Sequence, residues 1–230
     1  TTAQIGSLTT TQVTALTNAQ VGALPNAQVA ALGNTQVSSL TTSQLGGLSA
    51  SQVGALTTSQ ISNLTTGQMA ALTAVQVKAI ETADLVKLGT DQIQAISNAA
   101  VSALSADQVA ALTTTQVAQG LTTDQVIALT TDQVAQGLTT AQIAALSTAS
   151  IAALETTDVA VLRTSQIAAL TTSQLNEGLT TEQFQALTTV QITALTTLQV
   201  AQGLSTEQVA ALTTAQIPGL TTRQIAAFTT

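Results

Sequence analysis

"LTTDQVAQGLTTAQIAAL", residues Leu129–Leu146, states one pattern twice, and the same pattern runs from one end of the chain to the other. Cutting after each closing leucine gives "TTAQIGSL" at Thr1–Leu8, "TTTQVTAL" at Thr9–Leu16, and so on to "TTRQIAAF" at Thr221–Phe228. The 230 residues hold 28 such repeats, 24 of eight residues and four of nine. No linker or charge block interrupts them, so residues 1–228 are expected to form a single tandem-repeat solenoid. Thr229 and Thr230 begin a further repeat, and the series reads as a piece of a longer array.

The spacing of apolar positions decides what one repeat becomes. The fifth position is apolar in all 28 repeats, and the last is Leu except at Ile80, Ile96 and Phe228. In a strand of period two those positions fall on opposite faces, whereas in a short helix they share one face. A continuous helix fails for another reason. Eight residues at about 100° each turn the apolar stripe by roughly 80° per repeat, so no fixed face survives. The helix must therefore stop and restart once per repeat.

The restart signal is explicit. Position one is Thr or Ser in 22 repeats and position four is Gln in 24. This is the S/T-x-x-E/Q capping box, in which the hydroxyl accepts from the fourth N–H and the Gln reaches back to the first. The preceding Leu and the following Val or Ile then stand as a hydrophobic staple, as in Leu129 with Val134 and Leu138 with Ile143. Pro25, Gly33, Glu81, Gly89, Glu155 and Arg163 lack the hydroxyl, which leaves Asn26 and Asn34 as substitute caps. Ala100 and Ser150 lose the Gln outright, while Asp84 and Asp158 place a carboxylate there, favourable in a first helical turn.

The nine-residue repeats end in Gly-Leu, at Gly120, Gly137, Gly178 and Gly203. Glycine just past a helix end is the expected left-handed terminator, and these four predict a change of superhelical pitch in the second half. Helices this short are unstable alone, so they must stack through the fifth and closing residues. Small residues at position seven let neighbours approach. The predicted fold class is thus all-α, a solenoid of very short capped helices, one per eight or nine residues. A β-solenoid is the alternative, because Thr, Val and Ile favour strands and Gln or Thr can ladder between coils.

Composition limits the chemistry. His, Cys, Trp and Tyr are absent, and only 7% of residues are charged, giving a net charge of −7. No nucleophile–base pair with His or Cys is available and no disulfide framework exists. The chain is therefore expected to be no enzyme, with no catalytic, cofactor-binding or metal site and no cofactor. Asp91, Asp107, Asp124, Asp132, Glu182 and Glu207 stand at position three, where they complement the helix dipole. The first charged side chain is Lys78, and the uncharged Thr/Ser/Asn/Gln surface before it suits a molecule that stacks with copies of itself. No apolar run reaches the ~20 residues of a membrane span.

"LTTDQVIAL" at Leu121–Leu129 resembles the opening helix of TAL-effector DNA-binding repeats. The resemblance stops there, without the base-reading loop or second helix. Four basic residues against eleven acids also give no footing on phosphates, so nucleic acid is not an expected partner. The uninterrupted T-T-x-Q-V/I-x-x-L array resembles, over all 28 repeats, the repeat regions of large bacterial secreted or surface adhesin-like proteins. That resemblance implies an extracellular or cell-surface spacer, stalk or fibre subunit. Three roles follow as expectations: a self-associating filament, sheath or stalk; a binding face for glycan, protein or ice carried on exposed Thr rows; and a passive spacer. The expected partner is a second copy of the chain.

Overall fold

A computed structural model describes residues 1–228, so Thr229 and Thr230, expected to open a further repeat, lie outside the described residues. The chain divides between Leu121 and Thr122 into two compact bodies, built on the same plan and each taken by itself. The fold is an all-α solenoid: each repeat carries one short helix, and no strand occurs among the described residues. The β-solenoid alternative is thereby set aside.

Repeat 6, residues 41–48, shows how one unit forms. Thr41 is extended (φ −66°, ψ 156°) and its hydroxyl accepts from the Gln44 N–H at 3.1 Å. Gln44 Oε1 accepts from the Thr41 N–H at 2.8 Å, completing the capping box. The helix runs Thr42–Gly46 and stops within five residues. In repeats whose helix runs one residue further, the stop is set by the closing Leu. Leu195 is extended (φ −60°, ψ 132°) and its N–H donates to Ile192 O at 3.2 Å, a tightened last turn. Thr196 follows, also extended, as the next cap (φ −72°, ψ 157°). Two extended residues in succession turn each corner, and no described residue has a positive φ.

Substitute caps are not used. Pro25 and Gly33 remain the N-cap residues without a side-chain bond, and Asn26 Nδ2 donates instead to Ser51 Oγ, 25 residues on, at 2.7 Å. Even where the hydroxyl is missing, the Gln half of the box persists: Gly89 N–H and Arg163 N–H donate to Gln92 and Gln166 Oε1 at 2.8 and 2.7 Å.

Helices pack on their third neighbours. In the first body the helix of repeat 3 (Asn18–Gly22) lies against that of repeat 6, which lies against that of repeat 9 (Thr66–Ala71). In the second body the helices Thr140–Ala145, Thr164–Ala169 and Thr189–Ala194 stack in the same way. Most fifth-position side chains, such as Val37, Leu45, Ile61, Ile151 and Ile167, are fully buried, and most closing leucines nearly so, while Ile217 and Ile225 near the end of the described residues are exposed. This two-residue contribution per repeat is the whole core. Coils approach closely at the small sixth and seventh positions: a Cβ on Gly54 would stand 3.0 Å from Ala79 O.

The nine-residue repeats correct one expectation. Their glycines are not left-handed terminators, since none has a positive φ. Repeats 15, 17 and 22 instead absorb the extra residue as a π turn: Leu121, Leu138 and Leu179 N–H donate to the carbonyls of Gln116, Gln133 and Gln174 at 3.0, 2.9 and 2.9 Å. Repeat 25 lengthens its α-helix to Thr197–Gly203. Glycine is needed because the widened turn pushes the backbone onto the coil beneath. A Cβ on Gly178 would lie 3.2 Å from both Cβ and Cγ2 of Ile151, and one on Gly120 would lie 3.0 Å from Ile93 Cβ.

Gly178→Ala is therefore expected to destabilise the second body by about 1–3 kcal/mol through overpacking. Gly46→Ala, whose Cβ would meet nothing within 4 Å, should stabilise by about 0.5–1 kcal/mol. Urea denaturation followed by far-UV circular dichroism reads both; a Gly178→Ala chain as stable as the parent would show that the π-turn glycine has no steric role.

Candidate functional site

The repeated polar group of this fold is the fourth-position glutamine amide, and it does more than cap. Gln44 Nε2 donates to Val13 O at 2.9 Å and to Leu16 O at 2.7 Å. Those carbonyls belong to the fifth and closing residues of repeat 2, four repeats earlier. The register recurs in the first body for Gln68 with Val37 O and Leu40 O (2.9 and 2.8 Å) and Gln76 with Leu45 O and Leu48 O (3.0 and 2.7 Å). In the second body Gln174 reaches Ile143 O and Leu146 O (2.8 and 2.7 Å), and Gln191 reaches Val159 O and Leu162 O (2.9 and 2.7 Å). Helices touch their third neighbours and amides reach their fourth, so one coil takes more than three repeats and fewer than four.

Each amide thus resolves two shortages at once. A helix leaves its first N–H groups and last C=O groups without partners. Gln Oε1 serves the start of its own helix, and Nε2 serves the end of another in the neighbouring coil. The glutamines can be deeply buried for this reason, down to 0% exposure at Gln166, and no buried side-chain N or O among the described residues lacks a partner. Nine-residue repeats do not disturb the register. The separations grow from 28 and 31 residues at Gln44 to 29 and 33 at Gln208, yet the partners Leu179 and Leu175 remain the closing and fifth residues of the repeat four back.

The sequence held a signal for this second bond. A capping box accepts Glu as readily as Gln, but position four is never Glu in 28 repeats. An amide, unlike an ionised carboxylate, can accept from the cap and donate to carbonyls from the same planar group.

The third-position acids Asp91, Asp107, Asp124, Asp132, Glu182 and Glu207 are all exposed, each on a different repeat, and do not converge. Among the described residues no three carboxylates stand close enough to hold a metal ion. The Glu207 carboxyl lies below its usual range, because its own backbone N–H and the Ser205 and Thr206 side chains donate to it. Two concavities mark the surface. One is apolar, lined by Val200, Leu204, Val209 and Phe228, where the last coil of the described chain carries no coil above it. The other is a shallow groove between repeats 10–11 and 14, lined by Lys78, Glu81, Ser105 and Asp107. Neither joins a nucleophile to a base. No helix among the described residues is long and apolar enough to cross a membrane.

Gln44→Ala removes one cap acceptor and two buried carbonyl partners, so a loss of about 2–4 kcal/mol is expected. Gln12, which is exposed and bonds only within its own repeat, at 2.8 Å from the Thr9 N–H, should lose no more than about 1 kcal/mol as Ala. Paired denaturation curves compare the two; equal losses would mean that capping alone explains the glutamines.

A search of curated proteins returns no match for the chain. A family model described as the ALTTAQ repeat matches residues 21–58, 42–74, 77–114, 151–189 and 202–230, together well over half of the sequence. Its six letters occur literally at Ala211–Gln216. They span one junction: the end of one helix, the extended corner, and the capping box of the next with its ladder glutamine. On this coverage the chain belongs to the ALTTAQ repeat family.

Proposed function

We infer that the chain is a non-enzymatic structural repeat protein that associates with copies of itself as an extracellular filament, sheath or stalk subunit. The observation that carries this reading is the destination of its polar chemistry. The fourth-position amides, the most regular functional groups in the sequence, are turned inward to hold coils together, and the third-position acids stand exposed, each on a different repeat. What faces outward is uniform: Thr131, Thr140, Thr164 and Thr181, at position two of their repeats, are all exposed. A uniform, sparsely charged surface offers the same contact many times over, which suits lateral or end-on association of identical chains. The extracellular setting is supported by the resemblance of the whole array to surface-protein repeat regions.

The same exposed Thr rows support a second reading, a binding face for glycan or ice. Sedimentation velocity and negative-stain electron microscopy of the purified chain over a hundredfold range of concentration test the first. Filaments or bundles of uniform width that lengthen with concentration are the expected result. Single particles at every concentration would overturn self-association, and ice-recrystallisation and glycan-array assays then decide whether the Thr rows bind anything.

A further inference from the structure

Repeat 20, residues 155–162, carries the ladder with the wrong group. Asp158 stands where the fourth-position Gln belongs and is 2% exposed. Its Oδ2 accepts from the Glu155 N–H at 3.3 Å, a long version of the 2.7 Å bond that Gln166 and Gln191 make in the same place. By the register that Gln166 and Gln191 follow in the second body, the carbonyls that a fourth-position amide of repeat 20 would reach are those of Val126 and Leu129 in repeat 16. An aspartate in place of that amide has no N–H to give them.

The surroundings offer no cation. The elements around Asp158 carry Asp124 on repeat 16, Asp132 on repeat 17, Glu155 on its own repeat, Glu182 on repeat 23 and Arg163 on repeat 21. Arg163 is turned elsewhere, its Nη2 donating to Leu138 O at 2.9 Å and its Nε to Gln166 Oε1 at 3.3 Å. An ionised carboxylate in this slot has one backbone donor and a nearby Glu155 charge. A neutral carboxyl has an O–H to direct where the amide N–H would go.

We propose that Asp158 is a proton-binding site that substitutes for the ladder glutamine, so that acidification tightens repeat 20 onto repeat 16. The proton comes from solvent onto the carboxyl and leaves the same way. With it bound, the O–H donates toward the Leu129 carbonyl; without it, the negative charge loosens that stretch of the coil. The carboxyl lies above its ordinary range, first because burial disfavours the charge, while the Glu155 N–H lowers it and the Glu155 charge raises it. The sign follows from that direction. The folded chain holds this proton more firmly than the unfolded one, so the contribution is complete below the ordinary aspartate range and fades as pH rises through the folded value. Exposed acids such as Glu207, held low, act in the opposite sense.

Asp158→Asn supplies the N–H permanently and removes the titration, and Asp158→Ala removes both groups. Thermal unfolding of the parent and both variants from pH 4 to pH 8 is the test. The Asn chain should melt on the order of 4 °C above the parent at pH 8, with the gap closing by pH 4, and the Ala chain should show no such convergence. The side-chain carboxyl 13C signal of Asp158 should titrate above the ordinary aspartate range. A gap of equal size at both ends of the pH range, or an ordinary titration midpoint, would overturn the proposal. So would a calcium-dependent rise in the parent's melting temperature at pH 8 that the Asn chain lacks, which would make the slot a cation site.

Discussion

One planar amide, used with both of its ends, underlies this architecture. A helix of about five residues has almost as many unpaired backbone groups as paired ones, and in isolation it does not form. The fourth-position glutamine meets that deficit from both sides, accepting at the start of its own helix and donating at the end of another four repeats earlier. A local capping rule is thereby also a long-range tie. Where the ladder glutamine is present, as at Gln44 and Gln174, a helix start is locked to a helix end in the adjacent coil, and neither can shift along the chain without breaking bonds in both. The apolar core contributes only a fifth residue and a closing Leu per repeat; the amides make that thin core specific about register.

Much of this was legible in the letters, and the parts that were not have physical reasons. Thr41 and Gln44 announce a helix start because capping acts within four residues, a distance a sequence displays directly. The inward face followed from the positions of Leu45 and Leu48 for the same reason. The number of repeats per coil did not follow, because it depends on the two-residue extended corner, whose ψ angles no residue type dictates. The acceptors of Gln44 Nε2 lie 28 and 31 residues away, beyond the reach of any pattern in a single repeat. The exclusion of Glu from position four was the one visible trace of them.

Gly178 shows where a correct observation carried the wrong mechanism. A glycine at the end of a short helix ordinarily marks a left-handed cap. Here the closing Leu bends the chain by being extended, so no left-handed residue is needed. The glycine is instead required by Ile151 beneath it, a contact 27 residues away. Asp158 is the converse case. Its favourable place in a first helical turn was plain from the sequence, while its burial in the slot of a ladder glutamine appears only once coils are stacked.

The register of the amide ladder is counted in repeats, not in residues, and this bears on how such a gene can change. Insert or delete one whole repeat, and every later glutamine still finds a fifth-position and a closing carbonyl four repeats back. Unequal recombination between near-identical DNA segments, which produces whole-repeat gains and losses, therefore leaves the protein foldable at each step. Single-codon insertions are a different matter: the four that the chain carries each come with a glycine beside the extra residue, and at Gly120, Gly178 and Gly203 a Cβ would crowd the coil beneath. The ladder thus tolerates changes of whole repeats, while the glutamine of a repeat is held by its partner carbonyls in the neighbouring coil.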